Sequence, residues 1–132
     1  MDLIKISPDS ERARSILKMV SLLEERIKIQ SRLKMTALIV SDYYEAIKEL
    51  ITAVLLTDGY KTLSHKDLVD YIHLNYKEFN SNEISILDDL RILRNRVTYE
   101  GFQIDFSYLK RNESFFGEII NKLKNILNRK LK

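Results

Sequence analysis

A chain of 132 residues with 45% hydrophobic and 31% charged positions has the composition of one globular domain, which excludes a disordered polymer, a collagen-like repeat and a membrane-spanning protein. One proline, three glycines and no cysteine or tryptophan exclude disulfide scaffolds, cysteine-based zinc sites and thiol catalysis, and fit a reducing, cytoplasmic interior. The net charge of +3 is unevenly placed: residues 1–60 hold nine basic and nine acidic side chains, residues 61–100 six and seven, and residues 101–132 seven and three.

Helical periodicity runs through nearly the whole chain, broken only by short connections, so residues 1–132 read as a single domain. A first helix is expected to open at Ser7-Pro8, with Ser7 as N-cap and Pro8 at the first helical position, where its missing N–H costs nothing. Ile16, Met19, Val20, Leu23 and Ile27 give it one apolar stripe. The second helix, from about Lys34 to Thr57, has two apolar faces, one through Ile39, Tyr43, Ala46, Ile47, Leu50 and Val54, the other through Val40, Tyr44, Ile51 and Leu55. Two faces imply a central helix. Asp58-Gly59 ends it, because glycine accepts a left-handed cap.

Ser64 and Asp67 form a capping-box pattern that opens a third, shorter helix at His65, with Leu68, Tyr71, Ile72 and Tyr76 on its apolar side. Asn80 and Glu83 repeat the pattern for a fourth helix, whose expected stripe is Ile86, Leu90, Leu93 and Val97 and whose stop is Gly101. After a connection at Phe102–Asp105, a last helix carries Leu109, Phe116, Ile119, Ile120, Leu123 and Leu127, weakened at Gly117 by about 1 kcal/mol relative to alanine. No strand-like alternation of useful length and no internal repeat interrupts this pattern. The fold class is therefore all-α, an antiparallel bundle of about five helices.

The longest uncharged stretches in the helical part, Met35–Ser41 and Ile51–Thr57, fall far short of the roughly 20 apolar residues of a membrane helix, and Met1–Ile6 carries charges where a secretory signal needs an apolar run. No membrane partner is expected. His65 and His73 are unaccompanied by metal-ligand spacing, and no glycine-rich phosphate loop is present, so neither a metal nor a cofactor is expected. His65 falls in the first turn of its helix, where the dipole opposes protonation. Tyr60, Tyr76, Tyr99 and Phe102 stand near helix ends, in positions suited to an exposed aromatic contact. Lys122, Lys124, Arg129, Lys130 and Lys132 follow the last acidic residue, Glu118, and suit either an anionic partner or the dipole of a helix end.

The segment that carries most information is Leu90-Arg91-Ile92-Leu93-Arg94-Asn95-Arg96-Val97-Thr98-Tyr99-Glu100-Gly101, in which three arginines crowd one stretch of helix. Together with Leu55-Leu56-Thr57-Asp58-Gly59-Tyr60-Lys61 and Ser64-His65-Lys66-Asp67-Leu68, it resembles the HEPN family of small helical nucleotide- or RNA-associated domains. The resemblance covers about residues 10–128 in the order of helices. In HEPN ribonucleases the mark is an arginine, a polar residue and, after a short interval, a histidine. Arg94 and Asn95 match the first two elements, and Tyr99 stands where the histidine belongs. The resemblance also implies a homodimer with the arginine-bearing helices at its two-fold interface, and a minimal nucleotidyltransferase as partner in a toxin–antitoxin pair.

Metal-free RNA cleavage by the ribose 2′-hydroxyl needs a base, an acid and a cation at the phosphorus oxygens. Arg94 can be the cation. A histidine with a pKa of about 6.5 exchanges protons at neutral pH, whereas a tyrosine at about 10 remains protonated and is a poor base. Three readings stay open: an RNA- or nucleotide-binding protein using Arg91, Arg94, Arg96, Lys122 and Lys124; a divergent ribonuclease using Arg94, Asn95 and Tyr99 in a composite dimer site; and a helical oligomerisation module whose arginines pair only with carboxylates such as Asp88 or Asp89.

Overall fold

Short polar and glycine signals set the helix boundaries, and in the computed structural model, which describes all residues 1–132, they delimit five helices: α1 (Ser10–Ile29), α2 (Thr36–Asp58), α3 (His65–Asn75), α4 (Ser81–Glu100) and α5 (Phe106–Lys130). Gly59, at φ 88°, closes α2 by donating to Leu55 and Leu56, and Gly101, at φ 63°, closes α4 by donating to Arg96. Asn80 and Glu83 form both halves of a capping box on α4. At α3 only half of the expected box exists: Ser64 accepts from the Asp67 amide, while the Asp67 carboxylate takes the backbone N–H of Asp2.

The expected start of the first helix needs correction. Asp9, not Ser7, is the N-cap, accepting from the Arg12 amide, and Pro8 lies outside the helix. The cause is distant in sequence. Residues Ile4–Lys5 (β1) pair antiparallel with Tyr60–Lys61 (β2), and the amides of Ile6 and Asp9 donate to the carbonyls of Gly59 and Leu56. These bonds hold Ser7-Pro8 extended across the end of α2. The crossing is close: a Cβ on Gly59 would stand 3.1 Å from the Ile6 carbonyl oxygen.

α2 is central, as its two apolar faces imply, and packs against α1, α3, α4 and α5. Arg26 meets Asp42 while Asp9 meets Leu56, so α1 runs antiparallel to α2. Phe116 stacks near Tyr43 while Lys130 reaches Asp58, so α5 runs parallel to it. Glu83 meets Lys122 and Glu78 meets Arg129, so the chain leading through α4 runs antiparallel to α5. The four long helices thus alternate in direction, with the short α3 set between α2 and α4. The core gathers Ile39, Ile47, Leu50, Ile51 and Leu55 of α2 with Phe116, Ile119 and Leu123 of α5, all essentially without solvent contact. Removing any of these side chains is expected to cost about 2–5 kcal/mol.

The stripe on α4 is rotated from the one expected. Ile84, Leu87 and Leu90 are buried, whereas Ile86, Leu93 and Val97 are half-buried at the edge of the core. Met19 of α1 is exposed too. The second half of α4 therefore contributes little to the interior. No helix is long and apolar enough to cross a membrane.

Candidate functional site

Residues three apart on a helix lie about 60° from one another, so Arg91 and Arg94 share a face of α4. That face turns toward Tyr44 and Glu45 of α2: the Arg94 guanidinium lies 5.6 Å from the centre of the Tyr44 ring and 3.9 Å from a Glu45 oxygen. The side chains of Arg91 and Arg94 keep only 19% and 23% of their exposure, yet neither donates a hydrogen bond to any group in the chain. The carboxylate nearest the Arg91 Nε, Asp88, is 3.7 Å away, and both this Nε and the Asp88 Oδ1 are buried without a partner. A buried donor without an acceptor, such as the Arg91 Nε, is uncommon, because it forgoes its hydration.

His65 of α3 joins this group. Its ring centre lies 6.1 Å from that of Tyr44. Burial, then the charges of Lys48, Arg94 and Arg91, push the His65 pKa below its usual value, against an opposing pull from Glu45. The direction is the one expected from the helix dipole, although the causes lie mainly in burial and in neighbouring cations. Lys48, one turn along α2 from Tyr44, bonds to Glu45 at 2.7 Å and stands 3.4 Å from Glu49. Burial raises the Tyr44 hydroxyl to about 12, so it stays protonated and can only donate or accept as a neutral group.

The remaining sequence candidates lie elsewhere. Arg96 turns to the other side of α4, its guanidinium 3.9 Å from the Phe102 ring centre and its Nε bonded to Glu100 at 3.2 Å. Asn95 is half-buried, and Tyr99 is 79% exposed. Arg94 and Tyr99, five residues apart, diverge by about 140°, and the structure does not bring them together within the chain. Lys122 is bound by both oxygens of the buried Glu83 and by the Glu78 carbonyl, and Lys124 is paired with Glu24. The basic tail is likewise engaged: Arg129 meets Glu78, and Lys130 meets Asp58. Tyr76 donates to Asp58, and Phe102 lies under Arg96, so of the four aromatic candidates Tyr99 is the most open.

Sequence reasoning missed the contribution of Tyr44, Glu45, Lys48 and His65. The Ser64 cap did place His65 at the first helical residue, but nothing local signals that this residue meets a helix some thirty positions later. A cleft of about 500 Å³ lies apart from these residues, between Leu33, Leu38, Val97, Phe102, Ile104 and Phe106. No three histidine, aspartate or glutamate side chains converge as a metal site would require. What the Arg91–Arg94 group can do is receive an oxyanion, because guanidinium N–H pairs match the geometry of phosphate oxygens. In comparisons with known proteins, no family model and no curated protein matches the chain.

Proposed function

We propose that the chain is a HEPN-like RNA- or nucleotide-binding protein that takes phosphate groups on Arg91 and Arg94 and is non-catalytic or weakly catalytic. The observation that carries this reading is the pair of half-buried guanidiniums that make no hydrogen bond within the chain. Binding is favoured over cleavage by Arg94, Asn95 and Tyr99 because Tyr99 is 79% exposed and diverges from Arg94 around the helix. The resemblance to HEPN domains adds a second copy of the chain, and a minimal nucleotidyltransferase, as proposed partners.

Fluorescence anisotropy with a short single-stranded RNA tests the reading. Affinity should fall steeply as salt rises, and Arg91→Ala with Arg94→Ala should weaken binding and lower the salt slope by about one unit for each phosphate that is no longer held. RNA binding that is absent at low salt, or unchanged in the double variant, would favour the oligomerisation module instead. Light scattering coupled to size exclusion tests the pairing, a particle of one 15.6 kDa chain at micromolar concentration being the result against it.

A further inference from the structure

The cleft of about 500 Å³ is lined by the α1–α2 connection with the start of α2, and by the end of α4 with the segment Phe102–Asp105. Leu33 and Leu38, both on its lining, are 73% and 56% exposed, and Met35 between them is exposed too. Single exposed apolar side chains are ordinary, whereas a cluster of them around a concave surface marks a contact. The polar groups of the cleft are unused as well. The N–H groups of Gln103, Ile104 and Asp105 and the carbonyls of Gln103 and Ile104 make no hydrogen bond within the chain. Of Lys34 only the backbone amide is bonded, to the Ser31 hydroxyl at 3.4 Å, and its ammonium meets no carboxylate. Asp105 is the N-cap of α5, yet its side chain caps no amide and meets no cation.

We propose that this cleft is the surface on which a second copy of the chain docks, with Leu33 and Leu38 of the two copies in contact around a two-fold axis and Lys34 of each copy paired with Asp105 of the other. The inference gives a place to the second copy proposed above; it rests on that pairing and is independent of RNA binding. Charge selects this occupant. A partner of one sign would attract Lys34 or Asp105 and repel the other. A copy related by a two-fold axis brings a carboxylate and an ammonium at the same separation and in reversed order, so both pairs form at once. The same axis covers Leu33 and Leu38 of both chains in one contact and removes their apolar surface from water twice. The backbone of Gln103 and Ile104, next to Asp105, is open to hydrogen bonds with the incoming chain. Arg91 and Arg94 line no part of the cleft, so the contact leaves them outside it.

Sedimentation velocity over a dilution series, run beside the urea midpoint of each variant, tests the surface. The wild type should sediment as a pair of 15.6 kDa chains. Leu38→Glu places a carboxylate in the contact twice and should raise the dimer Kd about tenfold or more, whereas Leu74→Glu, at a similarly exposed leucine on α3, should leave it unchanged. Lys34→Asp and Asp105→Lys should each raise it about tenfold, because each sets two pairs of like charges face to face, and combining them should return it to within about threefold of the wild type. Should a charge variant lose its fold, Leu38→Glu against Leu74→Glu decides. A wild type that stays a single chain at every concentration overturns the proposal, leaving the cleft to a different partner and RNA binding to its own test. A wild type that pairs while Leu38→Glu pairs equally, or a folded combined variant that stays apart, overturns this surface and leaves the pairing proposed above intact.

Discussion

Asp58 and Arg94 sit toward opposite ends of α2 and show two ways in which a helical bundle handles partly buried charge. Asp58 receives the Tyr71 hydroxyl at 2.7 Å, the Tyr76 hydroxyl at 2.6 Å and the Lys130 ammonium, so one carboxylate ties the end of α2 to α3, to the α3–α4 connection and to the end of α5. Arg94, with Arg91 beside it, is about as enclosed and closes no hydrogen bond. A charge whose bonds are completed inside the chain serves the fold, because the polar groups it gathers would otherwise be desolvated without return. A charge left with open donors adds little to stability and keeps its capacity for a ligand.

The largest effect should come from the closed side. Glu83 combines a helix cap with a buried pair to Lys122, so Glu83→Ala is expected to cost about 3 kcal/mol in urea denaturation while leaving RNA affinity unchanged. Stronger RNA binding in this variant would mean that Lys122, once released from Glu83, reaches RNA.

Next comes Asp58→Asn, which removes the charge shared by Tyr71, Tyr76 and Lys130 and should cost about 2 kcal/mol. It has a signature in pH. Burial, and then the bond to Asp58, raises both tyrosine hydroxyls above their usual value of 10.0. Groups whose pKa is raised on folding contribute stability that is complete below pH 10 and is lost as pH climbs beyond it. The wild-type urea midpoint should therefore fall above pH 10, and in Asp58→Asn the absorbance change of tyrosinate should begin at lower pH. A titration identical to that of the wild type would show that the carboxylate does not act on these rings.

A smaller effect belongs to the open side. Glu45 stands 3.9 Å from Arg94 and competes with any anion there, so Glu45→Gln should strengthen RNA binding by about threefold at low salt. Weaker binding would mark Glu45 as part of the recognition surface and not a competitor.

The helices are legible in the sequence because their boundaries are written locally: Gly59, Gly101, Ser64 and the Asn80–Glu83 box act on neighbours within one turn. The start of α1 is not, since the pairing of β1 with β2 fixes it from more than fifty residues away. Likewise the 3.6-residue period identifies α4 as a helix but puts Ile86, Leu93 and Val97 on its buried side, where Ile84 and Leu87 lie instead, because the angle at which α3 and α2 meet α4 is a tertiary property. The candidate site divides in the same way. Arg91 and Arg94 stand out by composition alone, but their grouping with Asn95 and Tyr99 follows adjacency in sequence, which a helix spreads around its circumference. His65, Lys48 and Tyr44 come to the arginines only through the packing of three helices.

If the proposed function holds, fold-serving and ligand-serving charges occupy separate places in this chain, and the most direct test of that separation takes RNA affinity and urea midpoint on the same two proteins. Asp58→Asn should lose stability and keep its RNA affinity, whereas Arg91→Ala with Arg94→Ala should keep its stability within about 1 kcal/mol and lose affinity. A double arginine variant that unfolds as readily as Asp58→Asn and still binds RNA as the wild type does would contradict it.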